Sequence, residues 1–358
     1  MALDRSLLDD FNIEIPIIQA PMAGANGAAM AIAVSEAGGL GSLPCALLDV
    51  DAARKELGII RQQTAKSINV NFFCHTPEAP DARRDQAWQE TLGGYYKEFS
   101  IDTSMSVPAP SRAPFDDEMC TLIEDVKPEV VSFHFGLPEK KLIDRVKAAG
   151  CKVISSATTA AEARYLEANG CHAIIAQGYE AGGHRGMFLT KDITTQAGTL
   201  ALVPQVVDAV SIPVIAAGGI TDGRGIAAAF MLGASAVQIG TAYLFTPEAL
   251  ITELHREALR AARDDQTALT NIFSGRPARG LLNRVMRDIG PMSNATPAFP
   301  TAGGALAPLK AKAEENGSAD FSSLWSGQAA SLGTEMNAAD LTRHLMEDAE
   351  RCLKSISL

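Results

Sequence analysis

The sequence predicts an α/β fold, a (β/α)8 TIM barrel with inserted segments. Two patterns predict it: eight short apolar runs rich in Val and Ile, and helical segments between most of them. Runs that are apolar on both faces are typical of buried parallel strands. In chain order the runs are Ile15–Gln19, Leu40–Leu43, Ile68–Phe73, Val130–Phe135, Lys152–Ala157, Ala173–Gln177, Pro213–Ala216 and Ala236–Gly240.

Four of the intervening segments carry the start and stop signals of helices. Each is followed by a glycine, a residue that commonly ends a helix. One opens with a Thr-x-x-Glu capping box, Thr159 and Glu162, and another opens with the capping residue Asp222. Strands and helices therefore alternate as they do in βα units. The four segments are Ala28–Ala37, Glu139–Ala149, Thr159–Asn169 and Asp222–Leu232.

Two stretches interrupt this repeat and are predicted to be insertions. Residues 74–115 are polar and Pro-rich, and residues 264–337 contain Gly, Pro, Ser and Asn clusters with weak periodicity. The barrel is then formed by residues 1–73 and 116–263 and closed by an amphipathic helix, Ala338–Ile356. We expect the insertions to form a lid and substrate region at the barrel mouth. Surface loops without a role in binding are the alternative.

A Rossmann sheet is the competing parallel fold. It needs the pattern G-x-G-x-x-G after its first strand. Here the first strand leads into Gln19-Ala-Pro-Met-Ala-Gly24, and Pro21 stands where that turn needs a glycine. The eight strands and this loop favour the barrel.

Composition and charge exclude several classes of protein. The 358 residues are 47% hydrophobic and 20% charged, which is typical of a globular protein with a sizeable core. A net charge of −11 without a Lys/Arg block argues against nucleic-acid and anionic-membrane partners. No apolar run is long enough to span a bilayer, and the N-terminus is unlike a signal peptide. Six scattered cysteines without a C-x-x-C pair predict free thiols and a cytoplasmic location.

Glycines follow the last two predicted strands. Gly218 and Gly219 come after strand seven, and Gly240 and Thr241 come after strand eight. Barrel enzymes often bind phosphate with backbone N–H groups of these two loops, where glycine permits close approach. A phosphate site is therefore expected, with tight βα turns as the alternative.

Three amides stand on otherwise apolar strands, namely Asn71, Gln177 and Gln238. An amide offers a donor and an acceptor side by side, which suits the alternating groups on the edge of a flavin ring. For any one of them, a core amide bonded to backbone is the alternative. Together they favour a polar heterocycle at the strand ends.

His184 lies in the loop Gly182-Gly183-His184-Arg185-Gly186, which follows the predicted strand six. Its ordinary pKa suits proton transfer near neutral pH, so we expect His184 to be the catalytic residue, although loop histidines are often merely exposed. His134 lies on a strand between two Phe residues, where a structural role and a substrate contact are equally open.

The sequence lacks the residues that several other kinds of catalysis require. The strand ends carry no Lys placed for a Schiff base, and the chain has neither H-E-x-x-H nor G-x-S-x-G. No His and carboxylate cluster has metal-ligand spacing, so no metal is expected. The loop after strand six has no Cys, which argues against a thiolate nucleophile there.

Five motifs resemble the nitronate monooxygenase family, formerly called 2-nitropropane dioxygenases. The resemblance runs from about residue 13 to 246 and resumes weakly at 320–328. Related FMN-dependent enoyl-ACP reductases share a similar AGGH loop. The motifs are QAPMAG, AVSEAGGLGSL, VVSFHFGLP, AIIAQGYEAGGHRGMF and VIAAGGITDGRGIAAAFMLGASAVQIGTAYL.

The resemblance implies non-covalent FMN, no metal, and oxidation of alkyl nitronates such as propionate 3-nitronate by O2. It implies that His184 is the catalytic residue and that His134 lines the substrate site, where the Arg185 side chain is expected to steady the nitro oxygens. By motif position and loop chemistry the residues expected to bind FMN are Pro21, Met22, Asn71, Gln177, Gly182, Gly218, Gly219, Gln238, Gly240 and Thr241.

Two other functions remain open: an FMN-dependent NAD(P)H reductase of the enoyl-ACP reductase type, and a flavin-binding protein without turnover. The expected partners are a small-molecule nitronate or nitroalkane and O2, and a homodimer is left open. Relatives tend to have tyrosines and a lysine in the pocket-lining region that corresponds to Pro297–Leu309. This sequence has neither there, which leaves the substrate open.

Overall fold

Eight parallel strands form the barrel in the computed structural model, which describes residues 6–79, 81–102 and 112–356. The sheet order is β1-β9-β8-β6-β5-β4-β3-β2, and a parallel bridge between Ile18 and Leu40 joins β1 to β2. A second sheet joins β10, β11 and β7 in antiparallel fashion. The strands are β1 Ile17–Gln19, β2 Gly41–Pro44, β3 Ile68–Phe73, β4 Val130–His134, β5 Lys152–Ala157, β6 Ala173–Gln177, β7 Gly183–His184, β8 Val214–Ala217, β9 Ala236–Ile239, β10 Thr267–Thr270 and β11 Ala278–Leu281.

Helices cover the outside of the barrel and build the inserted regions. Short 3₁₀ turns lie at Ile193–Thr195, Thr241–Phe245 and Ala330–Leu332. The α-helices are α1 Ser6–Phe11, α2 Ala28–Glu36, α3 Val50–Gln63, α4 Ala82–Glu98, α5 Asp117–Val126, α6 Lys140–Ala148, α7 Ala160–Ala168, α8 Thr199–Val207, α9 Gly223–Met231, α10 Glu253–Arg260, α11 Arg284–Ile289, α12 Ala302–Glu315 and α13 Ala338–Ile356.

The predicted barrel is confirmed, and its strand boundaries shift by at most two residues from the apolar runs. The predicted capping residue Asp222 accepts hydrogen bonds from the backbone N–H groups of Arg224 and Gly225. Thr159 accepts from the N–H of Glu162 at 3.2 Å, as a capping box requires. The reciprocal bond differs, because the Glu162 carboxylate accepts from the Thr158 N–H at 2.7 Å instead of from Thr159.

The interior of the barrel is closed at its amino end by α1, which the sequence did not predict. Leu7, Leu8 and Phe11 of this helix are buried in one cluster with residues at the starts of the strands, such as Val130 and Ala236. A larger cluster lies between the strands and the outer helices. With the amino end filled by side chains, the carboxyl end is left for a binding site.

The inserted regions share a second core. Trp88 on α4 is fully buried and donates a hydrogen bond to the backbone carbonyl of Ala302 at 2.9 Å. Tyr96, also on α4, donates to the carbonyl of Ala305 at 2.6 Å. The expectation of irregular structure was therefore wrong for α4 and α12. Residues 80 and 103–111 of the first stretch, like the chain ends 1–5 and 357–358, lie outside the described residues.

The long helices were missed because glycines and a proline interrupt their patterns. Gly93 and Gly94 lie within α4, and α12 contains Gly303, Gly304 and Pro308. Glycine lowers helix propensity, so burial against the opposite helix has to stabilise both segments. Tertiary packing decides their structure.

Replacing Trp88 tests how much this second core stabilises the molecule. Trp88→Ala removes a fully buried indole and its hydrogen bond, so we expect the free energy of unfolding to fall by about 3–5 kcal/mol. Leu200→Ala, at a side chain that is 71% exposed on α8, should change it by about 0.5 kcal/mol or less. Denaturant unfolding measures both. Equal shifts in the two variants would contradict a packed second core.

Candidate active site

A cavity of about 520 Å³ opens at the carboxyl ends of the barrel strands. The loops after β1, β6, β8 and β9 form one side of its wall, and residues 310–329 of the second insertion form another. The wall includes most of the site residues that the sequence singles out. These are Pro21, Met22, Asn71, His134, Gln177, Gly182, His184, Gly218, Gly219, Gln238, Gly240 and Thr241.

The backbone of His184 is fixed on three sides. Its short strand β7 pairs with β11, where His184 lies opposite Ala278. Its carbonyl oxygen accepts a hydrogen bond from Gln177 Nε2 at 2.9 Å. The same oxygen lies 3.2 Å from His134 Nε2. Two barrel strands, β6 and β4, thus hold the residue through their last side chains.

The imidazole of His184 is surrounded by residues from the second insertion. Its Nε2 lies 2.9 Å from the hydroxyl oxygen of Ser274. Its ring centroid is 5.5 Å from the rings of both Phe299 and Trp325, and Phe73 of β3 lies at 6.2 Å. Neither Ser274 nor Trp325 was singled out from the sequence, because both fall in the stretch of weak periodicity.

Electrostatics keep the His184 imidazole neutral. Burial lowers its pKa well below the ordinary value, and the positive charges of Arg112 and Arg276 lower the pKa further. A histidine with a lowered pKa stays unprotonated throughout the neutral range and takes up a proton only in more acidic solution. The ring is therefore available as a proton acceptor.

His134 has a positioning role. Its Nε2 faces the carbonyl oxygen of His184, which can only accept, so this nitrogen carries the hydrogen. Its Nδ1 then accepts from the hydroxyl of Ser156 at 3.0 Å. Burial and Arg276 lower the pKa of His134 to about 3. Of the two roles left open by the sequence, the contacts support the structural one, although the side chain also lines the cavity.

The three strand amides differ in which of their hydrogen-bonding atoms already have a partner. Gln177 uses both ends, because its Nε2 donates to His184 and its Oε1 accepts from the Gly186 N–H at 2.7 Å. Asn71 donates through Nδ2 to the hydroxyl of Ser132 at 2.9 Å. Gln238 Oε1 is buried and has no hydrogen-bond partner among the residues that the structure describes. Gln238 thus offers a buried, unused acceptor at the cavity.

Arg185 does not line the cavity, which corrects the expectation from the sequence. Its side chain is fully buried, and its guanidinium donates to the backbone carbonyls of Gln177 and Gly178. It also donates to Gln196 Oε1 at 3.0 Å. Arg185 is therefore turned into the loop after β6 and stiffens it, so its guanidinium is unavailable to a substrate.

The two positions after β8 require glycine, because a side chain would not fit there. Gly218 and Gly219 have φ of +110° and +71°, a region that other residues rarely adopt. A Cβ on Gly218 would lie 3.0 Å from the backbone nitrogen of Ala181. The loop after β9 contributes Gly240 and Thr241, and the Thr241 hydroxyl accepts from the Gly327 N–H at 2.9 Å. Backbone is thus exposed to the cavity at both loops.

The region that was expected to line the substrate pocket, Pro297–Leu309, does not do so. None of residues 297–309 lines the cavity, but Lys310, the next residue along the chain, does. Arg112 of the first insertion lines it as well. Neither cation was singled out, because no periodicity or spacing in these stretches marks a residue that packs against the barrel mouth.

Metal ligands do not gather at this site. Within residues 6–79, 81–102 and 112–356, no group of three or more His, Cys, Asp or Glu side chains is placed to hold a metal ion. In the same ranges, no helix has the length and hydropathy needed to cross a membrane.

Comparison with known sequences points to one family. The family model described as Nitronate monooxygenase matches residues 5–348. A nitronate monooxygenase from Pseudomonas aeruginosa is 42% identical over 338 residues, covering 94% of this chain and 96% of that protein. A nitronate monooxygenase from Paraburkholderia phytofirmans is 40% identical, covering 98% of this chain and 97% of that protein.

Solved structures show the same architecture. Nitroalkane oxidase from Streptomyces ansochromogenes superposes with a TM-score of 0.89 at 37% identity, covering 98% of this chain and 99% of that chain. FabK from Thermotoga maritima superposes with a TM-score of 0.72 at 29% identity, covering 98% and 97%. Both likenesses span the barrel and the inserted regions together.

Replacing Gln177 tests the anchoring of the His184 loop. Gln177→Leu leaves the Gly186 N–H unpaired and removes one donor from the His184 carbonyl, so we expect about 2–4 kcal/mol of destabilisation. Gln205→Leu is the matched control, since Gln205 is exposed and bonds only to Ala201 of its own helix. Denaturant unfolding and hydrogen exchange at Gly186 measure the effect. Unchanged protection of the Gly186 amide would contradict the anchoring.

Proposed function

Because the chain belongs to the nitronate monooxygenase family, we propose that it oxidises alkyl nitronates, such as propionate 3-nitronate, with O2 and bound FMN. It is an oxidoreductase on a TIM barrel. The observation that carries the proposal is the cavity at the carboxyl ends of the strands, where Gln238 Oε1, an acceptor without a partner among the described residues, and the glycine loops lie on the same wall as His184. For a neutral nitroalkane, a partly buried imidazole with a lowered pKa is suited to accept the α-proton.

The residues at the cavity fit FMN. Gln238 Oε1 is a buried acceptor without a partner in the described part of the chain, which is where the donor of a heterocycle fits. The positive φ angles at Gly218 and Gly219 expose backbone to the cavity, which suits a phosphate. When bound, FMN supplies the electron acceptor for oxidation of the carbon.

We assign the binding of FMN to two groups of residues. Gly218, Gly219, Gly240 and Thr241 would hold the phosphate. The remaining contacts would come from Pro21, Met22, Asn71, Gly182 and Gln238, while Gln177 acts by holding the His184 loop.

The contacts of Ser274 support Nδ1 as the basic nitrogen of His184. Its hydroxyl lies 3.2 Å from the carbonyl oxygen of Arg276, which can only accept, and we infer that the hydroxyl hydrogen points there. Ser274 then accepts from Nε2 of His184, and the lone pair is on Nδ1. For a nitroalkane, Nδ1 takes the α-proton. A nitronate arrives without that proton and needs no base.

The inserted regions complete the site. Arg112 from the first stretch and residues such as Lys310 and Trp325 from the second line the cavity. We therefore assign these regions to a lid and substrate region on the barrel. The substrate is a small nitronate or nitroalkane with O2 as co-substrate, and the six unpaired cysteines match a reducing cytoplasm.

A second candidate is an NAD(P)H-dependent reductase of the enoyl type. It is favoured by the AGGH loop and by the likeness to FabK from Thermotoga maritima. Anaerobic mixing of the yellow protein with each reductant separates the two functions. Bleaching of the flavin by propionate 3-nitronate but not by NADPH is expected. Rapid bleaching by NADPH alone would support the reductase and contradict nitronate oxidation.

His184→Asn tests the role of the imidazole. Asparagine stays polar but cannot accept a proton near pH 7, so oxidation of neutral nitroalkanes should fall by about 10²–10⁴-fold. Nitronates should lose much less, and FMN should remain bound. Oxygen uptake on matched nitroalkane and nitronate pairs measures the difference. Equal losses on both substrates would show that His184 does not act as a base.

The pH dependence follows from the lowered pKa of His184. The imidazole becomes protonated, and inactive as a base, only well below its ordinary pKa of about 6.5. We therefore expect kcat/KM for a nitroalkane that stays protonated to be level between about pH 6 and pH 8. A pH profile measures this. An acid limb centred near the ordinary histidine pKa would contradict a base whose pKa is lowered.

A further inference from the structure

Arg112 is a cation on the cavity wall that has no anionic partner among the residues that the structure describes. Its side chain is partly buried, and burial lowers the pKa of its guanidinium. In the described ranges of the chain, no carboxylate lies within ion-pair distance of it, and its contact is with the ring of Phe299, 5.6 Å from Cζ to the centroid. A partly desolvated guanidinium with free donors favours binding of an anion.

The other cations near the cavity are already engaged. Lys310 lies 3.9 Å from the carboxylate of Glu314, which also lines the cavity. Arg276 does not line it; its guanidinium donates to the Met187 carbonyl and lies 3.8 Å from the ring centroid of Phe135. Although the whole chain carries a net charge of −11, this part of the wall is positive.

Arg112 lies close enough to His184 to act on the same substrate. The ring of Phe299 packs against both, with its centroid 5.5 Å from the imidazole centroid. The charge of Arg112 also lowers the pKa of His184, directly after burial in importance. A molecule with its reacting carbon at His184 therefore has room for a second group at the guanidinium.

We propose that Arg112 binds a carboxylate on the substrate, at the end remote from the nitronate carbon, and so selects carboxylate-bearing nitronates over simple alkyl nitronates. The proposal rests on the proposed function. Guanidinium and carboxylate match in a planar, two-pronged hydrogen bond, which an alkyl chain cannot make. Arg112 is thus a specificity residue, and the electron transfer from a nitronate, which needs no base, does not depend on it.

Two nitronates isolate the effect. Propionate 3-nitronate differs from propyl-1-nitronate by a carboxylate in place of the terminal methyl group. In the FMN-loaded enzyme, Arg112→Met should lower kcat/KM for propionate 3-nitronate by about 10–100-fold, mainly through KM. Propyl-1-nitronate should change by about 3-fold or less. Arg112→Lys keeps the charge but loses the planar fork, so its loss should be intermediate.

Arg54→Gln is the control for loss of one positive charge. Arg54 pairs with Asp125 and is half exposed, outside the cavity, so neither nitronate should respond. Binding without turnover gives a second readout. Succinate has the chain length of propionate 3-nitronate, and calorimetry should show that Arg112→Met and Arg112→Lys weaken succinate binding whereas Arg54→Gln does not.

The outcomes separate this proposal from the proposed function. Equal losses on both nitronates, or unchanged succinate affinity in either variant, would overturn the role of Arg112 while leaving nitronate oxidation intact. If Arg112→Met does not fold, Arg112→Lys and succinate binding decide. A wild-type enzyme that treats both nitronates equally would also overturn it. Oxidation of neither nitronate by the wild type would overturn both proposals.

Discussion

The carbonyl oxygen of His184 is the point on which the site depends. Two barrel strands donate hydrogen bonds to it, through Gln177 at 2.9 Å and His134 at 3.2 Å, and β11 pairs with the same residue from the insertion. A backbone held in this way has little freedom, so the imidazole is presented in one position. The loop beyond it is tied down by Glu162, whose carboxylate accepts from the Phe188 N–H at 2.6 Å.

The barrel and the inserted regions contribute different groups to the surroundings of the His184 imidazole. The barrel supplies the polar anchors and the exposed glycine backbone, whereas the insertion supplies Ser274, Phe299 and Trp325 around the ring. These surroundings partly bury the ring, and this burial is the main reason that the pKa of His184 is low. The second core, built around Trp88, gives the insertion the rigidity to do so.

The sequence predicted the parts of the molecule that local patterns control. Buried parallel strands, caps such as Asp222 and the glycine loops at Gly218 and Gly240 all have local signatures, so the barrel and its carboxyl-end wall could be placed. The direction of a long side chain has no such signature. Arg185 therefore appeared to face the cavity but turns into its own loop, and Arg112 went unnoticed in a stretch without periodicity.

The protonation state of His184 in the FMN-loaded protein decides whether this imidazole can act as a base. Nitrogen-15 spectra of histidine-labelled protein, with His184 assigned by its loss in His184→Asn, report both ring nitrogens. We expect a neutral imidazole at pH 7 with its hydrogen on Nε2, bonded to Ser274. A doubly protonated imidazolium at pH 7 would contradict it.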